Sequence, residues 1–140
     1  MAPDESALYL GDDIDRATFE QILEMDDDEN DRDFSRSIVF DFFEQASETF
    51  EKMQARLAEK NLEELSALGH FLKGSSATLG LTRVKDSCEK IQHYGARKDA
   101  TGTKDEKDDA KSLERIERTL AVAKADYQTA EKKLRLFYAE

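Results

Sequence analysis

His70 stands in the string His70-Phe71-Leu72-Lys73-Gly74-Ser75-Ser76-Ala77-Thr78-Leu79-Gly80-Leu81, beside a cation and several small residues. At about 100° per residue on a helix, Leu65, Leu68, Leu72, Ser75 and Leu79 share one face, which is expected to point inward. His70 lies two residues from both Leu68 and Leu72, about 160° from each, and so falls on the outer face. Lys73, Gly74 and Ala77 follow on the same side as the imidazole. Gly inside a helix costs about 1 kcal/mol relative to Ala, so Gly74 asks for a reason. Clearing space beside an exposed imidazole is such a reason. A neutral imidazole nitrogen is a nucleophile, and a phosphoryl group placed on it carries nearly two negative charges. Lys73 can reach that group across one turn and offset its charge. Small neighbours would let a partner's active site approach for in-line transfer. From geometry alone the other reading stays open: His70 as a surface histidine and Gly74 as a packing contact.

Other chemistries lack their residues. There is no G-x-x-x-x-G-K-[ST] loop and no glycine fingerprint for a nucleotide. Two His and one Cys cannot supply an ordinary structural zinc site. The run Asp26-Asp27-Asp28-Glu29-Asn30-Asp31 superficially suggests a calcium loop. Counted from Asp26, however, the sixth residue is Asp31 rather than Gly and the twelfth is Ser37 rather than Glu. A solvated loop that ends by capping the next helix is expected there, with no metal and no cofactor of the chain's own. The formal charge of -11 argues against nucleic acid as a ligand. Residues 1–31 hold 12 acidic side chains and one basic, leaving 20 of each elsewhere. That acidic arm could steer partners, or be a solvated tail. No apolar run approaches the roughly 20 residues that span a bilayer, and Met1 to Leu10 lacks the pattern of a secretory signal. The single Cys88 fits a reducing compartment.

The elements that must hold His70 are helical. One Pro, six Gly and many Ala, Leu, Glu and Lys in 140 residues predict an all-α single domain. Leu113, Ile116, Leu120, Ala123, Tyr127, Ala130, Leu134 and Phe137 form one stripe on a helix over 109–138. A second long helix runs over 33–58, with a stripe too wide for one neighbour. A third starts after Asn61, with Glu64 three residues on, and ends near Gly80. Thr82 is expected to cap a fourth, whose inner side reads Val84, Cys88, Ile91 and Gly95. Thr18–Met25 is the clearer of two short segments before them, and residues 99–110 read as a loop. Together these predict an up-down-up-down antiparallel four-helix bundle over 33–138, with one or two short N-terminal helices. His93 falls opposite the fourth helix's stripe and reads as a surface histidine.

The string from His70 to Leu81 closely resembles the phosphorylation-site motif of histidine-containing phosphotransfer domains, H-x-x-K-G-x-x-x-x-x-G. It is most similar to the yeast-type phosphorelay intermediates of fungi. Ile22–Asp28, Asp33-Phe34-Ser35 and Cys88–Gln92 are similar to that group too, so the resemblance covers roughly positions 18 to 94. It implies that His70 accepts the phosphoryl group, Lys73 stabilises it and Gly74 keeps the site open. Ser75 matches a motif position, and a core-facing hydroxyl and a site role both stay open. Gln92 matches a glutamine beside the histidine ring, in agreement with its place at the edge of its helix's stripe.

The family's docking surface corresponds here to Thr18, Ile22, Phe34 and Ile38; a core role for Phe34 and Ile38 also stays open. The implied partners are the receiver domain of a hybrid sensor histidine kinase and those of response regulators, with magnesium on the receiver. The resemblance implies a stoichiometric phosphocarrier and not a kinase, since no ATP site is present. A cytoplasmic monomer, with the nucleus open to it, is expected, without nucleic-acid or membrane partners. The alternative is a non-catalytic helical adaptor or scaffold with a degenerate bundle of this kind.

Overall fold

The computed structural model describes residues 14–26, 28 and 31–139. Among the described residues five helices follow one another: α1 (Arg16–Leu23), α2 (Asp33–Ala58), α3 (Leu62–Leu79), α4 (Thr82–Gly95) and α5 (Asp109–Tyr138). Among the described residues the only extended pairings are isolated bridges, Asp28 with Asp31 and Lys98 with Asp105. The two long helices have the expected bounds, because their apolar stripes run to the ends. α3 opens where Asn61 Oδ1 accepts Glu64 N–H at 3.2 Å, and it closes on the left-handed Gly80. Thr82 corrects an expectation. It is the first residue of α4, and Leu81 stands at the cap position. The second short N-terminal segment, residues 1–13 of the acidic arm, and Asp27, Glu29 and Asn30 lie outside the described residues.

The helices pack in the cyclic order α2, α3, α4, α5 and back to α2. Direction is visible at two seams. Gly69 of α3 lies against Cys88 and Gln92 of α4, while Gly95 lies against Leu62 and Ser66, so these helices run antiparallel. Lys124 bonds Gln54, Tyr127 meets Phe43 and Tyr138 bonds Ser35, which makes α5 antiparallel to α2. No helix among the described residues is long and apolar enough to cross a membrane.

α1 closes one end of the bundle. Asp15 N–H donates to Gly80 O at 2.6 Å, and the fully buried Phe19 meets the rings of Phe137 and Tyr138 edge-on at 5.4 and 6.4 Å. Ile22, one turn after Phe19, shares its inward face and is 3% exposed.

The acidic run is not simply solvated. The Asp26 side chain is 1% exposed and caps α2, its carboxylate accepting Ser35 N–H at 2.8 Å and Ser35 Oγ–H at 2.7 Å. Tyr138 donates its hydroxyl to the same Ser35 Oγ at 2.9 Å, tying the end of α5 to the start of α2. The segment between α4 and α5 is likewise built. Asp99 Oδ1 accepts from Thr101 Oγ and Thr103 N, and these bonds hold its carboxyl below the usual carboxylate range.

Candidate functional site

The face of α3 that packs inward carries Leu62, Leu65, Gly69, Leu72, Ser76 and Leu79. That corrects the expected stripe by one residue at two places. Leu68 is only partly buried, and Ser76, not Ser75, is the core serine. Ser75 is half-buried, and its hydroxyl donates back to Phe71 O at 3.3 Å. Thr78 does the same to Gly74 O at 3.1 Å, so the backbone around Gly74 is braced from both ends of the motif.

His70 is exposed, Lys73 half-buried and Gly74 exposed. A Cβ built on Gly74 meets no atom within 4 Å. The glycine is therefore not a packing contact within this chain. The contrast is Gly69, where a Cβ would lie 2.8 Å from both Cys88 O and Gln92 N. This missing side chain lets α4 press its backbone against the turn that carries His70. Gln92 arrives there with its Oε1 buried and without a hydrogen-bond partner. Gly69 escaped the sequence reading, although its spacing of four from Leu65 and three from Leu72 is a core signal.

The expected docking residues divide. Thr18 is half-buried, donates its hydroxyl to Asp15 Oδ2 at 2.6 Å and sits against Gly80. Ile22 faces the core through its phase with Phe19, so it offers a partner no surface, which corrects the expectation. Ile38 is half-buried, while Phe34 is 54% exposed at the start of α2. Met25, at 56% exposure, lines a shallow hollow together with Phe34, Asp26, Asp31 and Asp33. Phe71, next to His70, is 51% exposed. Neither Met25 nor Phe71 was singled out in the sequence; the signal for Phe71 was its place beside an outward histidine.

His93 is corrected as well. Its Nδ1 lies 2.8 Å from Ala100 O, and its ring packs where a Cβ on Gly102 would come within 3.0 Å. It pins the segment between α4 and α5. Cys88 offers no second nucleophile, since burial pushes its thiol up to about 12. His70 is thus an exposed nucleophile, with Lys73 one turn on and open space beside Gly74.

The chain is 45% identical over 125 residues to the multistep phosphorelay regulator 1 of Schizosaccharomyces pombe, covering 89% of this chain and 42% of that protein. It is 54% identical over 82 residues to the phosphorelay intermediate protein YPD1 of Candida albicans, covering 59% and 44%. The chain thus spans less than half the length of these relatives. Among solved structures, yeast YPD1 superposes with a TM-score of 0.78 at 32% identity, over 91% of this chain and 95% of that one. A co-crystal of the Saccharomyces cerevisiae protein with the receiver domain of its downstream response regulator Ssk1 gives 0.79 at 35% identity, over 91% and 95%. The family model for the Hpt domain matches residues 37–126, which include His70, Lys73, Gly74 and Gln92, and the chain belongs to that family.

Proposed function

We propose that this chain is a histidine phosphotransfer protein of a multistep phosphorelay. An imidazole nitrogen of His70 attacks the phosphorus of a receiver's phospho-aspartate in line. The N–P bond forms as the P–O bond breaks, and the receiver's carboxylate leaves. A second receiver's aspartate then takes the group from His70. The upstream receiver belongs to a hybrid sensor histidine kinase and the downstream ones to response regulators. The carrier turns over stoichiometrically in the cytoplasm and nucleus, and the magnesium such transfer uses is assigned to the receiver.

Phosphoryl transfer has a loose transition state, so positioning and charge are what the carrier must supply. Lys73 offsets the negative charge on the transferred group. Gln92 Oε1, a buried acceptor with no other partner, is assigned the proton on the second ring nitrogen. Phe34 and Phe71 supply the apolar contact, and Gly74 admits the receiver. The observation that carries this reading is the open space at Gly74 beside an exposed His70.

The test is incubation with a phosphorylated receiver. Label should appear on the chain, be lost in acid and survive base, as a phosphorus–nitrogen bond requires. His70→Gln should accept none, while its stability changes by less than about 0.5 kcal/mol because the site is exposed. A His70→Gln protein that still takes up acid-labile phosphate would falsify the mechanism.

A further inference from the structure

Ser66 lies one turn before His70 on α3 and is half-buried at the seam with α4. Its hydroxyl donates across that seam to the backbone carbonyl of Gln92 at 2.8 Å. The same oxygen accepts Ala96 N–H at 3.1 Å, so Ser66 adds a second donor to a carbonyl already inside its own helix. The other end of Gln92 is held by α3 as well, since a Cβ on Gly69 would lie 2.8 Å from Gln92 N. Ser66 is itself pressed against α4, where a Cβ on Gly95 would lie 2.6 Å from its nitrogen. Gln92 is thus gripped at both backbone ends by the turns of α3 that lead into His70. Its side chain, meanwhile, ends in a buried oxygen without a partner.

We propose that Ser66 is a positioning residue for phosphoryl transfer, holding Gln92 so that its Oε1 meets the N–H of the His70 ring. This role rests on His70 being the phosphoryl acceptor. When one ring nitrogen attacks phosphorus, its lone pair goes into the N–P bond and the ring becomes positive. An acceptor fixed on the other N–H offsets that charge and keeps the lone pair on the attacking nitrogen. The acceptor must already be aimed, because an oxygen displaced by about 1 Å leaves hydrogen-bond range. A glutamine side chain is long and rotatable, so its aim depends on where its backbone is pinned. Ser66 supplies that pin and acts on the ring only through Gln92.

Ser66→Ala removes the hydroxyl and keeps a strong helix former, so the chain should fold. With a phosphorylated receiver in excess, transfer to His70 should slow about fivefold, as for one lost neutral hydrogen bond. The receiver concentration that gives half the maximal rate should stay unchanged. Gln92→Ala should slow transfer about tenfold, and adding Ser66→Ala to it should slow it no further. The ring reports the same link. In proton–nitrogen NMR spectra the wild-type His70 should hold one tautomer, which Ser66→Ala turns into a mixture. A serine with a structural role alone would slow transfer equally with or without Gln92 and leave the tautomer as it was. Either result overturns the proposal, as does a Ser66→Ala or Gln92→Ala chain that transfers at the wild-type rate. Failure of the carrier role looks different: the wild-type chain would take up no label, and both readings would fall.

Discussion

Along the α3–α4 seam, side chains are removed so that two backbones can touch: a Cβ on Gly95 would lie 2.6 Å from Ser66 N and 2.7 Å from Leu62 O. Along the α2–α5 seam, side chains are added. Tyr127 meets Phe42, Phe43 and Phe50 at centroid separations of 6.1, 6.4 and 5.4 Å, and the helices stand far enough apart to leave a cleft. The first arrangement is rigid because backbone atoms cannot rotate away from a clash. The second is adaptable, since rings and long side chains can. A histidine that must be met by a receiver at a fixed angle sits on the rigid seam, where its supporting helix cannot drift.

Gly95→Ala tests that contrast at its strongest. The methyl group would strike backbone on both sides, so the seam must open; a loss of about 3 kcal/mol in denaturant melts is expected. A loss below about 1 kcal/mol would mean the α3–α4 contact is as yielding as the aromatic one.

Asp26→Ala probes the end of the other seam. Removing the carboxylate takes the acceptor from Ser35 N–H and Ser35 Oγ–H and leaves a buried cap unpaired. About 2 kcal/mol should be lost. Tyr138→Phe should cost about 1 kcal/mol, because its hydroxyl reaches Asp26 only through Ser35. A full-sized effect of Tyr138→Phe beside a silent Asp26→Ala would reverse that order of dependence.

How far the sequence disclosed these seams depends on what each is made of. The α2–α5 seam is built from large apolar side chains, and their spacing defines 33–58 and 109–138 without help from tertiary structure. The α3–α4 seam is built partly from side chains that are missing. Leu68 drew the expected inner stripe toward itself, whereas the real one runs through Gly69 and Ser76, which carry no hydrophobic signal. His70 was placed outward correctly because either stripe puts it there. Ile22 and His93 were misassigned for other reasons. Ile22 was put in a docking surface by resemblance, whereas the core around α1 is closed by Phe137 and Tyr138 far along the chain. A helical wheel gives the phase of His93 but not the loop at Ala100 and Gly102 that folds back over it.

Gly74→Ala sharpens the comparison within a single helix. With nothing within 4 Å of its Cβ, this alanine should gain helix propensity and stabilise the chain by up to about 1 kcal/mol. Transfer from a phosphorylated receiver should nevertheless slow, since the methyl group occupies the approach to His70. Gly95→Ala should show the reverse pattern, unstable yet transferring at the rate of whatever fraction is folded. Faster or unchanged transfer in Gly74→Ala would remove the functional reason for that glycine.

The smallest effect concerns the dryness of the rigid seam. Cys88 is fully buried on α4, and burial alone raises its thiol to about 12, so the folded state excludes the thiolate. In the unfolded chain the thiol ionises near its ordinary value of about 8.5. The folded pKa being the higher, this contribution is whole below about pH 8.5 and is lost as pH rises toward about 12. Between about pH 7.5 and 9 the wild type should therefore lose roughly 0.8 kcal/mol more than Cys88→Ala, because only the wild-type chain can ionise there on unfolding. Parallel stability curves for the two proteins over this window would show that water reaches the thiol. The α3–α4 seam would then be no tighter, at that point, than the aromatic seam across the bundle.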